Sequence, residues 1–369
     1  MARLDLNRRD FVRGTAVAAA GVAAGLKPTY TVYAGNKDGK DTSKILNYNE
    51  NMEYRRCGKT NLMVSSVCLG GHWKRVNEVV PGLFQGRSWL SAKLDDERFE
   101  KNRTDVVSRC MDRGMNYIDA CTAQEVIMYS KALKGRRDKM YLGYSWYQNE
   151  VRFGQWRSFE KLKESIDNGM KTAGLDYLDL WRITCHEQSS RHSGAEIEEV
   201  IKALDWAKQT GRARFTGISS HDRPHIKRLI EKYPGQLEVI CTPYTAKTKV
   251  VNDQHGLWAT MEKMDVGWFG IKPYASGSLF KGNGLPGNPQ AEEDNRIARL
   301  AIRYILCNPA ITAPIPGMAA VEHVDNVALA VLERRELDAA ERVELDRATD
   351  RAWANLPYNY QWLKDWEYV

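Results

Sequence analysis

From residue 66 onward the 369-residue chain repeats one alternation eight times. Short apolar runs alternate with helical stretches. The runs are "SVCLGG" (66–71), "MNYIDA" (115–120), "MYLGYS" (140–145), "LDLWRIT" (178–184), "RFTGIS" (214–219), "EVICT" (238–242), "WFGIKP" (268–273) and "ITAPIP" (311–316). Helical stretches such as "SFEKLKESIDNGMKTAGL" and "GAEIEEVIKALDWAKQTG" separate them and end in glycine signals. Strands joined by helices run parallel, and eight such units predict a closed α/β barrel, the (β/α)8 or TIM barrel, instead of an open sheet. "MEYRRCGKTNLMVSS" before the first run predicts a β-hairpin that turns at Lys59-Thr60-Asn61. After Asp338 the pattern predicts a C-terminal helical extension ending in an aromatic segment. The long connection from His72 to Asp105 follows the first strand, at the barrel end where binding loops gather.

The first residues differ in kind. "MARLDLNRRDFVRGTAVAAAGVAAGLKPTYTVYAG" has Arg8-Arg9, then Phe11, then a mild apolar run from Thr15 to Leu26. It resembles a twin-arginine (Tat) signal peptide over residues 1–34, with cleavage after Ala34; an amphipathic N-terminal helix is the other reading. The signal implies export of the folded protein, to the periplasm or beyond, by Tat machinery that reads Arg8 and Arg9. Residues 35–50 are polar and predict an extended, mobile linker, and 51–369 a single barrel domain. No apolar run reaches the roughly 18 residues of a membrane span, so no membrane contact is expected once the signal is removed. The leader carries +3 of the net charge of +7, leaving +4. That is too mild for a nucleic-acid partner. The seven cysteines are scattered, with no Cys-x-x-Cys, and predict neither a disulfide framework nor a metal cluster.

"MEYRRCGKTNLMVSSVCLGG", "KALKGRRDKMYLG", "AGLDYLDLW", "GRARFTGISSH", "IKPYASGSLFKG" and "AIRYILCNPAITAPIPGM", in that order and spacing, resemble the aldo/keto reductase superfamily from Met52 to about Ala340. The resemblance implies a (β/α)8 barrel and hydride transfer between a nicotinamide cofactor and a carbonyl. It also implies an active site of tyrosine, lysine, aspartate and histidine. Counted position by position, the aspartate is Asp119, but the tyrosine place holds Gln124, the lysine place Ser145 and the histidine place Thr184. A general acid is worth about 10²–10⁴ in rate, and an amide cannot supply that proton. Asp119 needs a new partner, either Arg182 on the same face of its strand or backbone amides at the strand end.

Other rim groups then come forward for proton transfer: His72, His186 and His221 first, with Lys74 and Tyr144 behind them. Cys121 and Glu125 flank position 124. His186, His192, His221, Glu187 and Cys185 are acceptable metal ligands by type, but their spacing matches no zinc pattern, so no metal is expected. Trp73, Trp146, Trp156 and Trp181 are candidates for a sugar-stacking wall or for core. The resemblance assigns the NAD or NADP site to Ser219, Ser220 and Cys241 at the nicotinamide, to Lys272, Tyr274, Ser276, Gly277 and Leu279 over the pyrophosphate, and to Gly317 and Asn326 at the adenine end. No basic residue follows Gly317 to pair a 2′-phosphate; His323 is the nearest. The expected function is an exported oxidoreductase acting on a carbonyl or hydroxyl of a small molecule, with carbohydrate or another polyol the substrate class. It would hold its nicotinamide cofactor tightly and use acid/base residues of its own. A non-catalytic ligand-binding barrel and a cofactor-independent lyase or isomerase using rim histidines are the alternatives.

Overall fold

The structure, a computed structural model, describes residues 32–34, 42–248 and 256–364. Eight parallel strands pair in chain order: β4 (Leu69–Gly70), β5 (Tyr117–Ala120), β6 (Tyr141–Tyr144), β7 (Leu178–Thr184), β8 (Ala213–Ser219), β9 (Val239–Pro243), β10 (Gly267–Ile271) and β11 (Ala313–Pro314). The ring closes where the Cys68 and Gly70 amides donate to the Pro314 and Pro316 carbonyls, at 3.3 and 2.8 Å. Each predicted apolar run overlaps one of these strands, and each strand is followed by a helix. The helices are α1 (Glu97–Asp112), α2 (Ala123–Ala132), α3 (Phe159–Ala173), α4 (Gly194–Gln209), α5 (Arg223–Lys232), α6 (Leu257–Lys263), α7 (Ala291–Leu306) and α8 (Val321–Leu332). The fold is a (β/α)8 barrel.

Local chemistry sets where helices begin. Asp96 accepts the Arg98 and Phe99 amides to start α1, and Thr122 with Glu125 forms a capping box that starts α2 one residue after Cys121 and Thr122 leave β5. Ser193 and Glu196 do the same for α4. Gly174, with φ 66°, stops α3.

The predicted hairpin is β2 (Glu53–Arg56) against β3 (Met63–Ser65), with a short strand β1 (Val32–Ala34) on its outer edge. It plugs the amino-terminal end of the barrel. Cys57, Leu62 and Val64 join Tyr117, Leu180 and Phe269 in one apolar cluster inside the ring. Most of the leader, Arg8 and Arg9 included, lies outside the described residues; β1 falls within the segment read as leader, so a cut after Ala34 would remove it.

The linker expectation needs correction over residues 42–50. Ile45 is buried there. Asn47 donates from Nδ2 to the Met111 and Met115 carbonyls, and Asn49 to that of Asp112. These side chains tie the segment to carbonyls at the end of α1 and just beyond it, so polarity here serves docking, not mobility.

The extension begins as helix α9 (Ala339–Ala354), capped by Asp338 and Glu341. A 3₁₀ turn, Tyr358–Lys364, then returns to the carboxyl-terminal mouth. Leu356, Tyr360 and Leu363 pack there against Ala275.

Candidate active site

A cavity of about 340 Å³ opens at the carboxyl ends of the strands. At its floor stands Asp119, the third residue of β5. The parallel register of β7 brings Arg182 opposite, and Nε meets Asp119 Oδ1 at 2.8 Å while a terminal nitrogen bonds Oδ2. The fork is two-pronged and both side chains are buried, 2% and 5% exposed. Of the two partners open to Asp119 in sequence, the arginine is the one it has. The Tyr117 hydroxyl adds a longer bond to Oδ1, 3.3 Å. Gly143 faces this group, and a Cβ there would stand 1.9 Å from the Tyr117 oxygen. The remaining Arg182 nitrogen donates to Thr184 Oγ1 at 3.2 Å.

Beside this pair lies a second carboxylate. Glu125 is fully buried. Its Oε2 accepts the Cys121 and Thr122 amides at 2.6 and 3.2 Å, and its Oε1 meets Nδ1 of His72 at 2.8 Å. Gly71 makes this approach possible, since a Cβ there would stand 2.3 Å from the carboxylate. His72 is held on its other side by Trp89, with ring centroids 4.7 Å apart. One ring nitrogen is thus fixed by a buried acid while the imidazole lines the cavity.

Beneath the β6 and β7 ends, buried Glu150 accepts from the Ser145 hydroxyl (2.5 Å), the Thr184 and Trp146 amides (2.8 and 3.1 Å) and the Trp181 indole (3.0 Å). Burial pushes its carboxyl above the usual range, and these donors pull partly back. Arg152 and Glu187, paired at 2.5 Å, line the cavity wall.

An outer arm of the cavity runs past the loop after β10 toward α7 and α8. Lys272, Ala275 and Ser276 all hold left-handed φ (61°, 46° and 62°). Such residues cost about 1–3 kcal/mol each and cluster at functional sites. Lys74 donates to Ser276 Oγ at 2.7 Å and to the Tyr360 hydroxyl, and its ammonium lies 4.2 Å from the Tyr360 ring centre. Burial lowers the Lys74 ammonium. Burial alone would raise the Tyr360 phenol, yet Lys272 and Lys74 together hold it below its ordinary value.

The structure gathers Asp119, Thr184, His72 and His221 at the cavity, with Ser219, Ser220, Lys272, Tyr274, Ser276, Gly277, Gly317 and Asn326 along its wall. It does not bring Gln124, Ser145, His186 or Cys241 there. Gln124 lies in the first turn of α2 with its amide oxygen bonded to Gln148, because the capping box begins the helix before any loop can reach over the mouth. Ser145 is turned under, into the Glu150 cluster. His186 accepts the Gln188 amide from outside the cavity. Cys241 points into the apolar cluster below the floor with Tyr117 and Phe269. His221 is buried, and burial followed by Lys272 holds its imidazole well below the usual pKa, so it stays neutral. Tyr144 and Trp181 are fully buried core, and of the four expected stacking tryptophans Trp73 alone lines the cavity, joined there by Trp89. Among the described residues no three metal-ligand side chains converge. Asn326 is committed at both ends, accepting from Arg299 at 2.6 Å and donating to the Asn295 carbonyl. His323 accepts the Ala319 amide and bonds the Asn283 carbonyl through its other nitrogen, the neutral tautomer, so it offers no charge to a phosphate.

Sequence and fold comparisons bear on the family and the fold. The chain is 24% identical to the L-galactose dehydrogenase of Arabidopsis thaliana over 261 residues, 64% of this chain and 80% of that one. It is 25% identical to the L-glyceraldehyde 3-phosphate reductase of Escherichia coli K12 over 265 residues, 67% and 68% of the two chains. The holo form of an aldo-keto reductase from Bacillus halodurans superposes with a TM-score of 0.58 at 21% identity, over 80% of this chain and 96% of that one, which speaks for the fold. Residues 91–350 match the model of the aldo/keto reductase family, and the chain belongs to that family.

Proposed function

We propose that the protein is an exported NAD- or NADP-dependent oxidoreductase that interconverts a hydroxyl and a carbonyl on a sugar or similar polyol, with the His72–Glu125 pair as its acid/base. The pair is the observation that carries the reading. Imidazole is the side chain able both to take and to return a proton near neutral pH. Glu125 accepts the Nδ1 proton and so leaves Nε2 as the exchanging nitrogen. This replaces the family tyrosine and lysine, whose places by count hold Gln124 and Ser145, neither of them at the cavity. Asp119, already neutralised by Arg182, is kept as a fixed part of the floor.

Aldo/keto reductases use a nicotinamide dinucleotide, which supplies or accepts the hydride. The outer arm suits such a molecule. Lys272 and Arg75 bring positive charge, α8 begins at Val321 after an N-cap, Ala320, that offers no side-chain bond, and the buried Tyr274 hydroxyl has no hydrogen-bond partner among the described residues. Toward the substrate, Arg152, Glu187 and Thr184 offer the polar contacts a polyol needs. Two relatives named for L-galactose and L-glyceraldehyde 3-phosphate support that class. Arg8-Arg9 in the leader supports export by the twin-arginine route, and an enzyme working where free dinucleotide is scarce would retain its own. In the oxidation direction His72 Nε2 removes the hydroxyl proton while Thr184 and Arg152 hold the substrate; in reduction it returns that proton.

The test is to denature the purified protein and measure released NAD and NADP by mass spectrometry, then to assay sugars and polyols in both directions with wild type and His72→Asn. Stoichiometric dinucleotide, with turnover lost in the variant, is the expected result. Failure to bind either dinucleotide would leave a ligand-binding barrel or a cofactor-independent enzyme.

A further inference from the structure

Glu150 is a buried acid that the proposed chemistry leaves unused, and hydroxyl groups connect it to the cavity. Its Oε1 accepts the Trp146 amide and the Trp181 indole at 3.1 and 3.0 Å, and its Oε2 accepts the Thr184 amide at 2.8 Å and the Ser145 hydroxyl at 2.5 Å. Four donors on two oxygens complete a carboxylate. Three of them are N–H groups, which can only donate. The Ser145 hydroxyl is the neighbour whose direction can be set, and a carboxylate turns its proton inward. Ser145 Oγ also lies 2.8 Å from Thr184 Oγ1. With its own proton on Glu150, Ser145 accepts in that bond, so the Thr184 proton points inward as well. Arg182, which has no acceptor, donates to Thr184 Oγ1 at 3.2 Å. One lone pair of Thr184 is left. Cys121 Sγ, 3.7 Å away, is a weak thiol neighbour that a ligand hydroxyl can displace. Thr184 lines the cavity, while Ser145 and Glu150 are fully buried beneath it.

We propose that the Glu150–Ser145–Thr184 chain fixes Thr184 as a hydrogen-bond acceptor in the cavity, and so selects substrates with a second hydroxyl beside the carbon that reacts. The inference rests on the oxidoreductase reading above and narrows its substrate class. A carbonyl oxygen only accepts, so it finds no donor in Thr184. A hydroxyl that does not react donates to Thr184 in both oxidation states of the substrate. The class is therefore a diol and its hydroxycarbonyl, the pair a sugar presents, and not a simple alcohol or aldehyde. Ser145 and Glu150 touch no substrate and act as positioning residues. Glutamine at 150 reverses the chain. Two N–H groups face Oε1 and one faces Oε2, so the amide nitrogen settles on the Oε2 side, where Ser145 can accept from it. Ser145 then donates to Thr184, and Thr184 donates into the cavity.

The test has a direct arm and a kinetic arm, both on the full chain. Neutron diffraction from deuterium-exchanged crystals at neutral pH locates the deuterons. One should lie on Ser145 toward Glu150 and one on Thr184 toward Ser145. A Thr184 deuteron aimed into the cavity would overturn the proposal and leave the functional reading standing. The kinetic probes are glycolaldehyde, methoxyacetaldehyde and acetaldehyde, reduced with NADH or NADPH. They differ only beside the carbonyl, where they carry a hydroxyl, an oxygen without its proton, and hydrogen. The kcat/KM of glycolaldehyde should exceed that of the other two by about tenfold to a hundredfold, since each of those leaves the Thr184 lone pair unmatched. Thr184→Val should erase the preference and Thr184→Ser should keep it. Glu150→Gln should bring methoxyacetaldehyde level with glycolaldehyde or above it. Ser145→Ala, which cuts the chain and keeps the acid, should also remove the preference, and it serves where the glutamine variant folds poorly. Equal kcat/KM for glycolaldehyde and methoxyacetaldehyde in the wild type would overturn the proposal, and so would a preference that survives in both chain variants. A wild type that binds no dinucleotide and reduces no aldehyde would end the functional reading and the substrate class with it, while the neutron map would still judge the chain.

Discussion

Arg182→Met is the sharpest test of how this barrel holds its charges. The methionine fills much the same volume but removes both prongs of the fork on Asp119. What is left to the carboxylate is the 3.3 Å Tyr117 bond, inside a floor where it is 5% exposed. Breaking one side of a buried ion pair costs about 3–5 kcal/mol, chiefly because the other charge stays behind. Thr184 and Cys121 also lose a donor, which keeps the figure toward the upper end. The assay is guanidinium unfolding followed by tryptophan fluorescence, comparing midpoints at constant slope. The double variant Arg182→Met/Asp119→Leu should regain most of the loss, since no uncompensated charge remains. A single variant within about 1 kcal/mol of wild type would refute the reasoning, and so would a double variant no more stable than the single one.

Under the proposed function, Glu125→Gln should lower turnover by about 10²–10⁴, with kcat falling more than KM, and His72→Asn should add little on top of it. Glu150→Gln should cost about 1–3 kcal/mol in thermal unfolding, because an amide nitrogen must then face donors that now point at a carboxylate oxygen. Burial, with Arg157 next, lowers the His192 imidazole to about 4. The unfolded chain therefore binds a proton that the folded one refuses, and stability should fall as pH drops from 6.5 toward 4, by up to about 1.4 kcal/mol per pH unit. Urea midpoints measured across that range should flatten in His192→Gln.

The barrel was legible because eight strands and eight helices each leave a period in the sequence, and periods survive small errors of boundary. The site was less so. Gln124 was placed by counting five residues from Asp119, which assumes a loop of fixed length. "TAQE" at Thr122–Glu125 is a capping box in plain letters and announces a helix there instead. Cys241 failed for a different reason. A parallel strand buried on both faces carries a nearly continuous apolar run, so the sequence does not say which residues face the mouth and which the core. The asparagines at 47 and 49 looked like linker polarity because their carbonyl partners on α1 lie more than sixty residues away. Tyr360 had no local signal at all, since its partner Lys74 is 286 residues distant.

Glu125 shows why the mouth resists residue-by-residue comparison. One of its oxygens starts α2 and the other orients His72. A helix that begins so early leaves no loop to carry an acid over the cavity, and the residue that begins it supplies the partner for a different one. The two features are one change. Glutamine at 125 could still accept the capping amides through its oxygen, but it would turn an N–H toward His72 and force the opposite tautomer, with the proton on Nε2. Such a variant should fold nearly as well as wild type and fail first in the oxidation direction, where the neutral imidazole must accept a proton. Equal loss of stability and activity would mean that Glu125 serves the helix alone, and that the proton passes through another group.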